Sequence, residues 1–135
     1  MTHRFLEHTA DVKFRAEGSI IEEMYSSAAN ALNETIRGDI KILEQEEKSF
    51  VVEGPDQEVL LYNFLEEFLF LLDAQEFLVS RIKSIEVKEG KIRCVVVGDK
   101  AENYAFTNDV KAITYNGMVI GEGHGTFFCE VVLDV

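Results

Sequence analysis

The chain has no tryptophan, one proline and two cysteines, and it has few basic residues. Cys94 and Cys129 each lie in an apolar stretch, far from a CxxC motif or a Cys/His cluster. Such cysteines are typical of buried reduced thiols, and this pattern disfavours a disulfide framework or a zinc site. The chain has thirteen Lys and Arg residues and 25 Asp and Glu residues, which gives a net charge of -12. That charge repels a phosphate backbone, so we expect no direct binding to nucleic acid and a basic protein as a more natural partner.

Long apolar runs are also missing. The N-terminus reaches an acidic residue before any stretch that resembles a signal peptide, and no 18-residue apolar window occurs. We therefore expect no membrane association and a cytoplasmic location. With 135 residues and 47% hydrophobic content, the chain predicts a single domain over residues 1–135 with a substantial core.

Two helices are predicted in the first half of the chain. Ser19 and Glu22 form a capping-box pattern before a helical repeat that ends at Gly38, and the polar residues of this helix predict one solvated side. Asp56 is the predicted N-cap of a second helix near Val59–Leu72, which is apolar on almost every side. We expect this helix to be covered in a layered core; the alternative is a face kept for a partner.

Strands dominate the rest. Alternating residues predict strands at Val12–Ala16 and around Phe50–Glu53, and further strands near residues 79–87, 91–97, 104–115, 118–120 and 126–134. Hairpin turns are predicted at residues 88–90 and at Asn116-Gly117, and a loop at residues 121–125. The fold class is α+β, with a mostly antiparallel sheet and two main helices.

Three polar residues are candidates for function. Asp11 precedes the first predicted strand, Lys111 lies in a predicted strand on the face of Ile113 and Tyr115, and Asp134 adjoins the C-terminal carboxylate of Val135. One interpretation is a structural salt bridge from Lys111 to Asp11 or Asp134. The other is a divalent-cation pocket formed by both aspartates and Val135, with Lys111 at its edge to receive a phosphate or an acidic group. His8 could join Asp11 at one site or be a hydrogen-bonded structural histidine.

The order of several segments resembles the archease family. HTAD at residues 8–11, KAITY at residues 111–115 and an aspartate one residue from the end are specific in combination. The matching segments are residues 5–12, 18–24, 60–65, 110–115 and 131–135. Many members have histidine after KAxTY, where this chain has Asn116, and this departure weakens the expectation of a ligand from that position.

The resemblance implies an accessory protein rather than an enzyme. Such a protein activates an RtcB-type RNA ligase in tRNA splicing and RNA repair, promotes guanylylation of the ligase histidine by GTP, and allows repeated turnover. It implies that Asp11, Lys111 and Asp134 are critical for activation and that the cation is calcium, magnesium or manganese. Two other functions stay open from the residues alone: a metal-dependent phosphotransfer or hydrolytic enzyme acting by itself, and a general chaperone or interaction module that uses the apolar second helix.

Overall fold

The structure is a computed structural model, and we describe residues 1–6, 11–107 and 110–135. Two antiparallel sheets and two helices make up the described fold, and this confirms the α+β class. The elements are β1 (Thr2–Leu6), β2 (Val12–Gly18), α1 (Ile21–Arg37), β3 (Glu46–Glu53), α2 (Gln57–Gln75), β4 (Phe77–Lys88), β5 (Lys91–Lys100), a 3-10 turn (Ala101–Asn103), β6 (Ala112–Gly123) and β7 (Thr126–Asp134).

The larger sheet has the strand order β1-β2-β7-β6 and the smaller one β3-β5-β4. Both helices contact strands of both sheets, so their apolar sides lie in one core shared by the two sheets. Phe14 of the larger sheet, Ile92 of the smaller sheet and Phe64 of α2 are fully buried there. The expectation that α2 is largely covered is therefore confirmed. Within the described ranges, no helix is long and apolar enough to cross a membrane.

The ends of the helices confirm most of the predicted caps. The Asp56 carboxylate accepts a hydrogen bond from the Val59 amide at 2.9 Å, and Gly38 follows α1 with a positive φ of 68°. The capping box was wrong by one position. Because α1 begins at Ile21, Ile20 is the N-cap, and Glu23 rather than Glu22 reaches back to accept from the Ser19 amide at 2.9 Å.

The predicted solvated side of α1 is present in part. Glu34 is exposed, and four further polar residues of this helix are half-buried: Glu22, Glu23, Ser26 and Asn30. Ser27 and Asn33 are buried instead, because α1 packs against both sheets. The Ser27 hydroxyl donates to the Glu17 carbonyl at 3.3 Å, which satisfies the buried polar group.

The last hairpin differs from the prediction. Asn116 and Gly117 lie inside β6, in an irregular stretch where the register to β7 shifts between Thr114 and Val119. The turn between β6 and β7 falls at His124 and Gly125, within the loop predicted at residues 121–125, and the φ angles of both residues are positive. A bulge accommodates the positive φ of Gly117 and lets β7 keep its pairing with β6 on both sides.

The predicted strand over residues 104–115 was largely wrong, because β6 begins only at Ala112. Tyr104 instead follows the 3-10 turn, and its hydroxyl donates to the Asp99 carboxylate at 2.8 Å. Lys111 consequently lies just before β6 and not in the middle of a strand. Both cysteines are buried and unpaired as predicted, and burial raises the pKa of each thiol to about 12.

Candidate functional site

The candidate site lies at one end of the larger sheet. Strands β2 and β7 pair antiparallel with Val12 opposite Leu133. Asp11 lies in a bend directly before Val12, and Asp134 directly follows Leu133. The two aspartates, far apart in sequence, therefore lie at the same end of the β2–β7 pair.

Lys111 joins them from the third strand. Its backbone N–H donates to the Asp134 carbonyl at 2.7 Å, and Ala112 pairs with Asp134 at the start of β6. Lys111 thus lies beside Val135 and the chain terminus. The central position of β7 between β2 and β6 is what brings all three residues together.

The salt bridge considered from the sequence does not form. Among residues 1–6, 11–107 and 110–135, no ion pair joins Lys111 to Asp11 or Asp134. The Lys111 side chain is exposed and lines a pocket beside α2 that also contains Glu66, Glu67 and Phe70. Its side chain is therefore exposed at the same end of the sheet as the two aspartates.

A row of ion pairs precedes the aspartates along the same strands. Glu130 of β7 accepts from Arg15 of β2 at 2.9 Å and lies 3.6 Å from the Lys13 amine. Because every second residue of a strand shares a face, Glu130 and Asp134 point to the same side of the sheet. The cations on this side are engaged by Glu130, and in the described part of the chain none is paired with Asp11 or Asp134.

The donor atoms of these residues suit a hard divalent cation. Two carboxylates on adjacent strands and the terminal carboxylate of Val135 are oxygen donors of the type that Ca²⁺, Mg²⁺ and Mn²⁺ accept. No three His, Cys, Asp or Glu side chains converge on one point in the described ranges. A cation at Asp11 and Asp134 would therefore need the terminal carboxylate and water to complete its coordination.

The histidines do not add a described ligand. His8 falls in residues 7–10, outside the described residues, so its predicted role stays a prediction. His3 lies 3.1 Å from the Glu34 carboxylate, and His124 occupies the β6–β7 turn.

Sequence reasoning did not identify the pocket beside Lys111. The signal was present as Glu66 and Glu67, two acidic residues within the otherwise apolar α2. Helical spacing alone did not show that these residues and Lys111 border one pocket, because that depends on how β6 crosses α2.

Comparison with known proteins defines the family. Residues 3–135 match the model of the Archease protein family (MTH1598/TM1083), and the chain belongs to this family. It is 38% identical over 135 residues to protein archease of Pyrococcus furiosus, covering 96% of this chain and 95% of that protein. With protein archease of Methanosarcina mazei the identity is 33% over 139 residues, covering 98% and 95%.

Solved structures agree with the fold. The solution structure of protein 1598 from Methanobacterium thermoautotrophicum superimposes with a TM-score of 0.83 at 30% identity, covering 98% of both chains. A crystal structure from Thermotoga maritima, described as an archease and possible chaperone, has a TM-score of 0.71 at 20% identity and covers 96% of this chain and 94% of that one.

Proposed function

We propose that this chain is an accessory protein that activates an RtcB-type RNA ligase in tRNA splicing and RNA repair. It acts by promoting guanylylation of the ligase histidine by GTP and by allowing the ligase to turn over repeatedly. The observation that carries the proposal is the position of Asp11, Asp134 and Lys111 at one sheet end, in a chain of the archease family. The proposed setting is the cytoplasm.

The site supports a role in handling charge at the ligase's nucleotide site. Asp11, Asp134 and the Val135 carboxylate would hold a divalent cation, which when bound would supply positive charge toward nucleotide phosphates. Lys111 adds an exposed amine at this end of the sheet, since its backbone N–H donates to the Asp134 carbonyl. An amine and paired carboxylates on one rigid sheet end can orient a metal or a phosphate for attack by another protein's histidine.

The charge of the chain supports a protein partner. A net charge of -12 opposes direct contact with RNA but favours encounter with a basic RNA-binding protein. An activator of this kind need not contact the RNA itself.

The direct test is ligase guanylylation with purified components. A catalytic amount of this protein, an RtcB-type ligase, GTP and a divalent metal are mixed, and formation of the ligase–GMP adduct is followed. We expect faster adduct formation and more than one joining event per ligase. D11N, D134N and K111M should abolish the acceleration while costing about 1 kcal/mol or less in stability, because these are surface positions. E122Q, an exposed charge change at the far end of β6, is the matched control. Unchanged guanylylation rates with the wild-type protein would end the proposal.

A second candidate is a general chaperone. The Thermotoga maritima structure of this fold is described as a possible chaperone, and Phe5, Phe70 and Tyr115 are large exposed side chains here. A chaperone should suppress aggregation of unrelated unfolded proteins equally well as wild type and as D134N. A stand-alone enzyme should instead turn over a phosphate ester or nucleotide without the ligase, and highly purified protein with metal tests this directly.

A further inference from the structure

A second surface feature adjoins the candidate site. A pocket of about 490 Å³ lies between α2 and the end of β3, with Lys111 on its rim. Three of its acidic side chains come from one side of α2: Glu66, Glu67 and Asp73. Glu53 also borders it but is engaged by Lys91 at 3.1 Å. The pocket thus carries more negative than positive charge even with Lys111 present.

Glu67 is the informative member of this group. It is half-buried, and burial raises the pKa of its carboxyl group above the ordinary value. No described residue donates a hydrogen bond to it or forms an ion pair with it. A partly desolvated carboxylate without a cation is unfavourable by itself, and a cation arriving from outside relieves part of that cost.

The apolar residues that line the pocket include an exposed aromatic side chain of α2. Phe70 is 49% exposed, whereas the neighbouring Leu69 and Leu71 are buried. Phe70, Leu69 and Val52 form an apolar wall beside the carboxylates. An aromatic face next to a carboxylate suits a group that is both cationic and flat.

We infer that this pocket receives an arginine side chain presented by the basic partner protein, with the guanidinium at Glu67 and over the Phe70 ring. The identity of the partner rests on the proposed function, whereas the chemistry of the pocket does not. A metal ion is a poorer occupant, because no three acidic side chains converge closely enough to coordinate one in the described part of the chain. Arginine is favoured over lysine because its planar fork can bond a carboxylate and stack on a ring together.

The location gives the contact a role. Lys111 belongs both to the pocket rim and, through its backbone, to the Asp134 end of the sheet. An arginine anchored at Glu67 would hold the partner next to Asp11 and Asp134. The pocket is therefore a docking contact that shares Lys111 with the site proposed to act on the ligase nucleotide, whereas Glu67 and Phe70 belong to the pocket alone.

The first experiment uses the whole chain and defined probes. Acetylated tri-arginine, tri-lysine and tri-citrulline amides are titrated while backbone amide NMR signals are followed. We expect the tightest binding for tri-arginine, none for tri-citrulline, and the largest shifts around Glu67 and Phe70. E67Q and F70S should weaken tri-arginine binding roughly ten-fold, as expected for losing a charge-assisted contact, whereas E122Q should change it less than two-fold.

Equal weakening by E67Q and E122Q would overturn the inference, since it would mean diffuse charge attraction. Equal affinity for tri-lysine and tri-arginine would also count against it. A separate arm measures affinity for the ligase. E67Q should bind the ligase more weakly yet reach full guanylylation at saturating concentration, while D134N should bind and fail to activate. If wild type does not bind the ligase, the proposed function fails, and the peptide titration still decides the pocket.

Discussion

Tyr62 of α2 and Tyr115 of β6 stack face to face, with ring centroids 4.4 Å apart and an interplanar angle of 10°. Tyr115 is nevertheless 48% exposed, so the pair forms a surface clamp between helix and strand. The clamp lies four residues beyond Lys111. It joins α2 to the start of β6, close in sequence to Lys111.

Removing the ring of Tyr115 tests the clamp. Y115A should lower the free energy of unfolding by about 1–2 kcal/mol, because it loses ring stacking and part of the apolar burial. Y115F keeps the stack and should remain within about 0.5 kcal/mol of wild type. Urea unfolding curves measure both variants. Equal stability of Y115A and wild type would mean that the stack does not hold β6.

Cation binding should depend on the two aspartates and on the chain terminus. D11N and D134N should each weaken binding of Ca²⁺ or Mn²⁺ measured by calorimetry, because each removes an anionic oxygen ligand. Extending the chain beyond Val135 moves the terminal carboxylate away and should weaken binding as well. E122Q is the control for overall charge. Equal affinity in all of these proteins would remove this site from consideration.

Asp99 predicts a specific acid sensitivity. Its carboxylate accepts hydrogen bonds from the Tyr104 hydroxyl, the Lys100 amide and the Asn103 side chain, and the first of these contributes most to lowering the pKa. A lowered carboxyl pKa adds stability above the unfolded value of about 3.9 that is lost as the pH falls through the folded pKa.

The variant Y104F removes the largest of these contributions. It should melt at a lower temperature than wild type at pH 7, and the difference should shrink as the pH falls from the unfolded value of about 3.9 toward the lowered pKa of Asp99 in the folded protein. Thermal melts between pH 3 and pH 7 check this. If the difference in melting temperature is constant over this range, Y104F acts through its lost hydrogen bond with the Leu43 amide, which donates to the Tyr104 hydroxyl at 2.9 Å.

Glu67 predicts a pH dependence of stability opposite in sign to that of Asp99. Because burial raises its pKa, the folded state holds this proton more tightly than the unfolded chain does, and stability falls as the pH rises through the unfolded value of about 4.3. E67Q should therefore be as stable as wild type or slightly more so at pH 7, by no more than about 0.5 kcal/mol for a partly exposed position. The gain should vanish below about pH 4. Marked destabilisation by E67Q would instead indicate a structural role.

Local signals were sufficient for much of the secondary structure. Asp56 and Gly38 mark helix ends because capping depends on residues within one turn, and residues 88–90 predicted the β4–β5 turn because Glu89 and Gly90 adopt the positive φ that it needs. The apolar character of α2 likewise predicted a covered helix. The identities of Asp11, Lys111 and Asp134 also came from the sequence, through their motifs.

Pairing between distant parts of the chain decided the features that local signals did not predict. The sequence analysis missed β1, whose residues alternate weakly and which is held by pairing with β2. Asn116-Gly117 has a strong local preference for a hairpin turn, but pairing of β6 with β7 on both sides places it in a bulge. Only strand order brings Asp11, Asp134 and Lys111 to one sheet end, and only helix packing sets Glu67 beside Phe70 and Lys111. The sequence thus determined which chemical groups the protein carries, while the tertiary structure decided which of them are neighbours, because register and packing are set by contacts between residues far apart in the chain.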